Sequence, residues 1–339
     1  MEFTYSTLFN IDYIDKGIAL YNSIRRYNEK CRIYVLCLDN DTLRILSNIG
    51  LSNIILIPLS DLENRYDYLL KLKHQRSFAE YCWTLTPHII EYVFDIFQEE
   101  YNTYLDSDLY FWSDPDEINI EMINYNCHTL ITDHRFPAKV RAISEKKHGR
   151  FCVQFNSFTN SNESRELLRI WKEDVVLDCE YNKRKQKAGD QKYLEKFPKL
   201  SDGVFIPEHI GIGVAPWNIS QYLFISNNNG KIMIANQNQQ GQLIFYHFQN
   251  IKYITERIVN IGAGRADRGL KRIIYLPYLM EIENIRNKLK SYYIQIKPRS
   301  LSRNHIISII QKYLMRYKIR YLSFSDIIYL PKTKRPANN

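Results

Sequence analysis

Between Phe3 and Leu59 the chain alternates two hydrophobic periods, and that alternation constrains its fold more than any other feature. Phe3 to Phe9 reads as a strand and Asn10-Ile11-Asp12-Tyr13 as a loop. Ile14 to Tyr27 then carries Ile18, Leu20, Tyr21 and Ile24 at helical spacing. Arg32 to Leu38 is a second, almost wholly apolar strand that ends in Asp39-Asn40-Asp41. Thr42 to Ile49 is a helix closed by Gly50, and Ile54 to Leu59 a third strand. Strands and helices joined by such short connections form a doubly wound parallel sheet. Ligands of such sheets sit at the carboxyl ends of the strands, where Asn10, Asp12 and Asp39 fall. Asp39 and Asp41 serve equally well as caps of the helix from Thr42.

A further strand end carries the sharpest chemical signal, Tyr104-Leu105-Asp106-Ser107-Asp108-Leu109-Tyr110-Phe111. The run reads as the end of a buried strand, and side chains alternate along a strand, so Asp106 and Asp108 point the same way and Ser107 points opposite. Two carboxylates so placed repel unless a cation lies between them. A hard divalent ion, Mg2+ or Mn2+, that also takes phosphate oxygens resolves the repulsion. A solvated turn is the plainer alternative.

With 339 residues, 45% of them apolar, the chain can build one large or two modest globular domains. Its 26 tyrosines suit carbohydrate-stacking surfaces, and also the codon bias of an AT-rich genome. Cysteines at 31, 37, 82, 127, 152 and 179 form no Cys-x-x-Cys pair and sit mostly in apolar runs, which points to reduced thiols in a cytosolic protein. A basic start followed by an apolar stretch is missing after Met1, and no run of about 18 apolar residues occurs, so neither a signal peptide nor a membrane span is expected. The net charge of +9 is uneven: residues 271–339 hold 15 Lys and Arg against 3 Asp and Glu, while residues 1–270 hold 31 against 34. The expected division is therefore a catalytic domain of residues 1–270 and a basic extension of residues 271–339.

Phe78 to Phe97 has a long helical pattern with an interruption expected at Pro87, and Arg76 with Ser77 stands at its front, where a helix start can hold phosphate. A strand at Thr129–Thr132 and a basic loop from Arg135 to Arg150 precede the strand Phe151–Phe158, on which Cys152, Gln154 and Asn156 share a face. Buried amides need partners, which sugar hydroxyls or the sheet itself can provide. Glu163 to Asp178 is an amphipathic helix. Gly189-Asp190-Gln191 follows a charged loop, with Asp190 placed to cap what comes next. Gly211 and Gly213 lack the third glycine and the helix of a dinucleotide fingerprint. Leu243 to Phe248 is a strand in which His247 stands alone among apolar neighbours, as a core residue or a metal ligand.

In this order, Asp106-Ser107-Asp108, Gln154 with Asn156, Gly189-Asp190-Gln191 and Tyr246-His247-Phe248 resemble the bacterial nucleotide-sugar transferases with a GT-A fold, most nearly the family-8-like galactosyltransferase and glycogenin group. The resemblance spans residues 3 to 250. It implies an α/β GT-A fold, a metal site of Asp106, Asp108 and His247 for Mn2+ or Mg2+, and a catalytic pair Asp190 and Gln191 at the donor sugar. It further implies donor contacts from Phe9, Asn10, Asp12, Tyr13, Arg76, Ser77, Ser107, Gln154 and Asn156, with Trp217 as a stacking surface. The family's Phe-Asn-Ala-Gly is replaced by Val-Gln-Phe-Asn-Ser, and the Lys-Pro-Trp after its histidine is missing. The implied activity is transfer of a hexose from a nucleotide-diphosphate sugar, a UDP-sugar, to a glycan or glycolipid acceptor of bacterial surface polysaccharide synthesis, with retention of configuration.

A sugar nucleotidyltransferase shares the fold and the metal, but its glycine-rich basic loop after the first strand is absent here. A non-catalytic carbohydrate-binding protein fits the aromatic content. A nucleic-acid binder leaves Asp106, Asp108, Asp190 and His247 without work and has no recognised motif, so no nucleic acid is expected. In Ser302–Leu322, a helix would align Ile306, Ile310, Tyr313, Leu314, Tyr317 and Tyr321, with Arg303, Lys312, Arg316 and Arg320 at the flanks. Such a basic amphipathic helix either packs on the domain or makes peripheral contact with the cytoplasmic leaflet.

Overall fold

Strands β1 (Thr4–Phe9), β2 (Arg32–Cys37), β3 (Ile54–Pro58) and β4 (Tyr101–Leu105) run parallel in one sheet in the order β4-β1-β2-β3. The computed structural model describes residues 1–182, 184–226, 231–255, 258–262, 266–292 and 327–330. The short strand β5 (Leu109–Phe111) leaves the sheet to pair with Phe245–His247. β6 (Thr129–Asp133) and β7 (Phe151–Thr159) extend the sheet beyond β4, and Val204–Phe205 forms its edge. β7 is antiparallel to both its neighbours, a departure from the wholly parallel sheet expected. The connection from β6 to β7 stays at one end of the sheet, Asp133 pairing with Phe151, so no crossover reverses the direction.

Helices α1 (Ile14–Arg25), α2 (Asn40–Ile49), α3 (Leu59–Arg65), α4 (Tyr68–Gln75), α5 (Phe78–Phe97), α6 (Asp116–Asn124), α7 (Arg141–His148) and α8 (Asn162–Leu177) fill the connections. The sequence reading does not announce α3, α4, α6 or α7, and the last occupies the basic loop. Asp39 caps α2 through the Thr42 amide at 2.7 Å, and Gly50 ends it at φ +64°. Ser77 and Glu80 form a capping box at the start of α5. That helix runs through Pro87 rather than breaking there. Next to the proline, the His88 Nδ1–H donates to the Thr84 carbonyl at 2.8 Å.

The sheet separates two apolar layers. On one side Ile14, Ile18, Phe155, Phe245 and Tyr246 pack with α1; on the other Leu85, Ile89, Val93, Trp171 and Phe197 pack with α5 and α8. The first layer includes helix α9 (Leu276–Leu289), part of the region expected as an extension. Glu281 accepts hydrogen bonds from Asn22 at 3.0 Å and Tyr110 at 2.6 Å and pairs with Arg26. Arg286 meets the buried Asp15 at 2.7 Å. Removing one partner of such a buried pair costs about 3–5 kcal/mol. Ile327–Tyr329 pairs antiparallel with Ile258–Asn260. Residues on both sides of position 270 thus share one core, while Ser302–Leu322 lies wholly outside the described residues.

Candidate functional site

The site forms where β4 stops. Asp106-Ser107-Asp108 is a turn between β4 and β5, closed by Leu109 N–H donating to Asp106 O at 3.1 Å. The Asp106 amide still donates to Gln154 O at 3.0 Å, the next rung of the β4–β7 register, and the chain turns only after it, so the two carboxylates are brought together by a turn and not by strand alternation. Beside this turn β5 pairs with Phe245–His247, setting His247 against Leu109. Two backbone bonds of 2.9 Å, His247 N–H to Val214 O and Phe248 N–H to Asp108 O, lock the histidine to the turn.

One ligand atom each from Asp106, Asp108 and His247 can lie within 4.8 Å of the others. His247 Nε2 is 3.0 Å from Asp108 Oδ1 and 3.7 Å from Asp106 Oδ2. On its other side Nδ1 is 3.0 Å from Gln154 Oε1. An amide oxygen can only accept, so Nδ1 carries the hydrogen and the Nε2 lone pair of the neutral ring faces the carboxylates. This donor set suits a divalent cation with oxygen and imidazole ligands, and an acceptor oxygen behind the histidine, here that of Gln154, fixes its tautomer.

The charges agree with a site that favours a cation. Burial first, and then the Asp108 charge, push the Asp106 carboxyl well up despite His247. Burial works against ionisation of Asp108 too, but His247 and then Lys16 hold it below the usual range. Burial disfavours the charged His247 ring, yet Asp108 and Asp106 outweigh that and raise it. Asp190, 4% exposed, is raised strongly by burial and then by Asp106.

Several polar atoms here are buried without a hydrogen-bond partner among the described residues: Gln154 Nε2, both amide atoms of Asn156, and Asp190 Oδ2. Leaving such atoms unpaired costs about 1–3 kcal/mol each, unless a ligand completes them. Asp190 is set by its carbonyl, which accepts from Trp171 Nε1 at 3.1 Å, and by Gly189 at φ +63°, where an added Cβ would stand 2.7 Å from the Trp83 ring. Gln191 Nε2 donates to His148 O at 2.6 Å. Trp217 is edge-on to His247 at 5.3 Å and donates to His134 O at 2.8 Å, so its ring is a wall of the histidine. Ser107 is buried in the turn.

Among the donor contacts implied at the first strand, Asn10 and Tyr13 are half-buried in the loop after β1 and Asp12 is exposed. Asp39 Oδ2 accepts from Ile11 N at 2.9 Å, which ties this loop to the end of β2. Phe9 faces the core, its ring filling the space left by Gly17. Arg76 and Ser77 are engaged locally: the guanidinium bonds Thr84 and, at 2.7 Å, Val176 O, and Ser77 caps α5. The part of α5 beside Asp190 is Thr86. Four further residues escaped the sequence reading: Thr86, Lys16, Tyr278 and Tyr104. Tyr104 OH donates to Asp106 Oδ1 at 3.3 Å. Its place two residues before Asp106 was a readable signal; for the others only tertiary placement reveals them.

The galactosyltransferase LgtC, solved with donor and acceptor sugar analogs, superimposes with a TM-score of 0.51 at 12% identity, covering 83% of this chain and 95% of that one, and this likeness gives the chain a GT-A fold. No protein-family model matches the sequence. The uncharacterized protein YfnF of Bacillus subtilis (strain 168) is 30% identical over 261 residues, 75% of this chain and 84% of its own length. Uncharacterized protein YfnD of the same organism is 30% identical over 294 residues, 85% of this chain and 91% of its own length. With that identity sustained over most of both sequences, the chain belongs to the family of YfnD and YfnF.

Proposed function

We propose that the protein is a metal-dependent glycosyltransferase that moves a hexose from a UDP-sugar to a glycan or lipid-linked acceptor of bacterial surface polysaccharide synthesis, family-8-like and retaining. The observation that carries this reading is the Asp106, Asp108 and His247 cluster at the end of β4, rimmed by buried polar atoms that lack partners. Those three side chains are assigned to hold Mn2+ or Mg2+. When bound, the ion supplies charge neutralisation for a leaving diphosphate. Gln154 keeps His247 in the tautomer that offers Nε2. Asn156 and Asp190 are assigned to sugar hydroxyls and the reacting face, with Gln191 beside them.

A cavity of about 320 Å³ lies between Asp39, Asn40, Leu43, Pro58, Ser60 and Lys73, at the carboxyl ends of β2 and β3. Ligands of doubly wound sheets bind at such strand ends, and we assign the nucleoside to it. The division at residue 270 is proposed as one of function, since packing is shared across it. No described helix is long and apolar enough to cross a membrane. For the basic stretch Ser302–Leu322 we propose peripheral contact with anionic lipid, which predicts sedimentation with anionic vesicles at low salt and release as salt rises. Calorimetric titration of UDP with and without Mn2+ tests the main reading. Mn2+-dependent binding is expected, and its absence overturns it.

A further inference from the structure

A divalent ion between Asp106 and Asp108 is neutralised by those carboxylates, so a diphosphate arriving there brings negative charge that needs another cation. Lys16 is on the first turns of α1, which packs against β5, the strand that leaves Asp108. Its ammonium lies 4.0 Å over the Tyr13 ring, and its charge acts on both Asp108 and His247.

Tyr278 of α9 approaches the same point. Its ring stacks on Phe248 at 3.7 Å and stands edge-on to Tyr110 at 5.5 Å, so it sits against the residues that follow His247 and Asp108. The side chain is 1% exposed, and its hydroxyl has no hydrogen-bond partner among the described residues. Burial and then the charges of Asp108 and Asp15 disfavour its ionised form, so the hydroxyl keeps its proton and is a donor. A buried donor left unpaired beside a carboxylate cluster is explained by an anionic acceptor that arrives with the ligand.

We propose that Lys16 and the Tyr278 hydroxyl form a phosphate-binding arm on the Asp108 side of the metal cluster, with α9 as a wall of the donor site. The proposal rests on the reading that the ligand is a nucleotide diphosphate. Lys16 contributes a positive charge to the outer phosphate oxygens, and Tyr278 donates one hydrogen bond.

The test uses the full chain and three titrants, Mn2+ alone, then UDP and uridine in the presence of Mn2+. Lys16→Met is expected to weaken UDP about tenfold or more and Tyr278→Phe about fivefold, with uridine changed less than about twofold in both. Lys16→Arg should keep most UDP affinity. Mn2+ alone should bind Lys16→Met as well as or better than the native chain, because a like charge has gone. Melting curves check folding, and Tyr278→Phe, which removes only an unpaired hydroxyl, should melt no lower. UDP affinity unchanged in either variant overturns the arm, as does an equal loss for uridine and UDP. If the native chain shows no Mn2+-dependent UDP binding, the transferase reading fails, and the arm with it.

Discussion

Two sets of buried polar side chains lie close together in the sheet, and they are treated oppositely. Thr103, Ser157 and Asn119 form a closed triangle: Thr103 Oγ1 to Ser157 Oγ at 2.8 Å, Ser157 Oγ to Asn119 Oδ1 at 2.6 Å, Asn119 Nδ2 to Thr103 Oγ1 at 3.1 Å. One residue away on β7, Asn156 has both amide atoms unpaired, and so do Gln154 Nε2 and Asp190 Oδ2. Asparagine occurs in both sets, equally buried at 119 and 156, and such side chains serve cohesion where their bonds close on one another and recognition where they are left open. Stability should therefore depend on the first set and ligand affinity on the second.

The largest expected effect is at the cluster itself. Asp108→Asn should lower Mn2+-dependent sugar transfer or donor hydrolysis by about 100-fold or more while leaving the melting temperature equal or higher, since one of two repelling carboxylates is neutralised. Retained turnover would break the comparison at its functional end. Asn119→Ala should do the reverse: a loss of about 2–3 kcal/mol in urea unfolding, with unchanged UDP affinity per folded molecule. A matching loss of affinity would show that the triangle is part of the site.

Asn156→Leu sharpens the contrast within one strand. Its stability should stay within about 1 kcal/mol of the native chain, because no existing bond is lost, whereas donor binding should fall. A large loss of stability would mean that Asn156 has a structural partner.

The smallest effect concerns His88, buried and satisfied by Thr84 O and, at 3.0 Å, by Tyr68. Burial holds it down to about 3, so the unfolded chain takes up the proton first as pH falls. Its contribution is complete above about pH 6.5 and is lost as pH falls towards the folded value, at up to about 1.4 kcal/mol per pH unit. Urea titrations at pH 7.5 and 5 should show a smaller difference in His88→Leu than in the native chain. An equal difference would remove His88 from the set of satisfied core groups.

The alternation that made β1, α1, β2, α2 and β3 legible is local, and so are the Asp39 cap, the Gly50 stop and the Asp-x-Asp. His247 could be named but not placed, because its meaning depends on β5 pairing across the 133 residues between Phe111 and Phe245. Asp106 and Asp108 were found for a reason that was half right: the pair converges through a turn, which an apolar run does not announce. Lys16 and Tyr278 carry no local signal, since what matters is the site each side chain meets. α9 had a readable stripe at Leu279, Ile282, Ile285 and Leu289, but the basic charge of the region drew the reading towards a separate tail.

The strand Ile327–Tyr329 changes what the intervening stretch can do. Because Ile327–Tyr329 pairs with Ile258–Asn260, the chain between α9 and that strand is joined to the body at both ends rather than at one. Anything this stretch binds is therefore held at a fixed local concentration beside the body, independent of bulk dilution. Removing the Ile327–Tyr329 pairing would turn a handle held at two points into a free end.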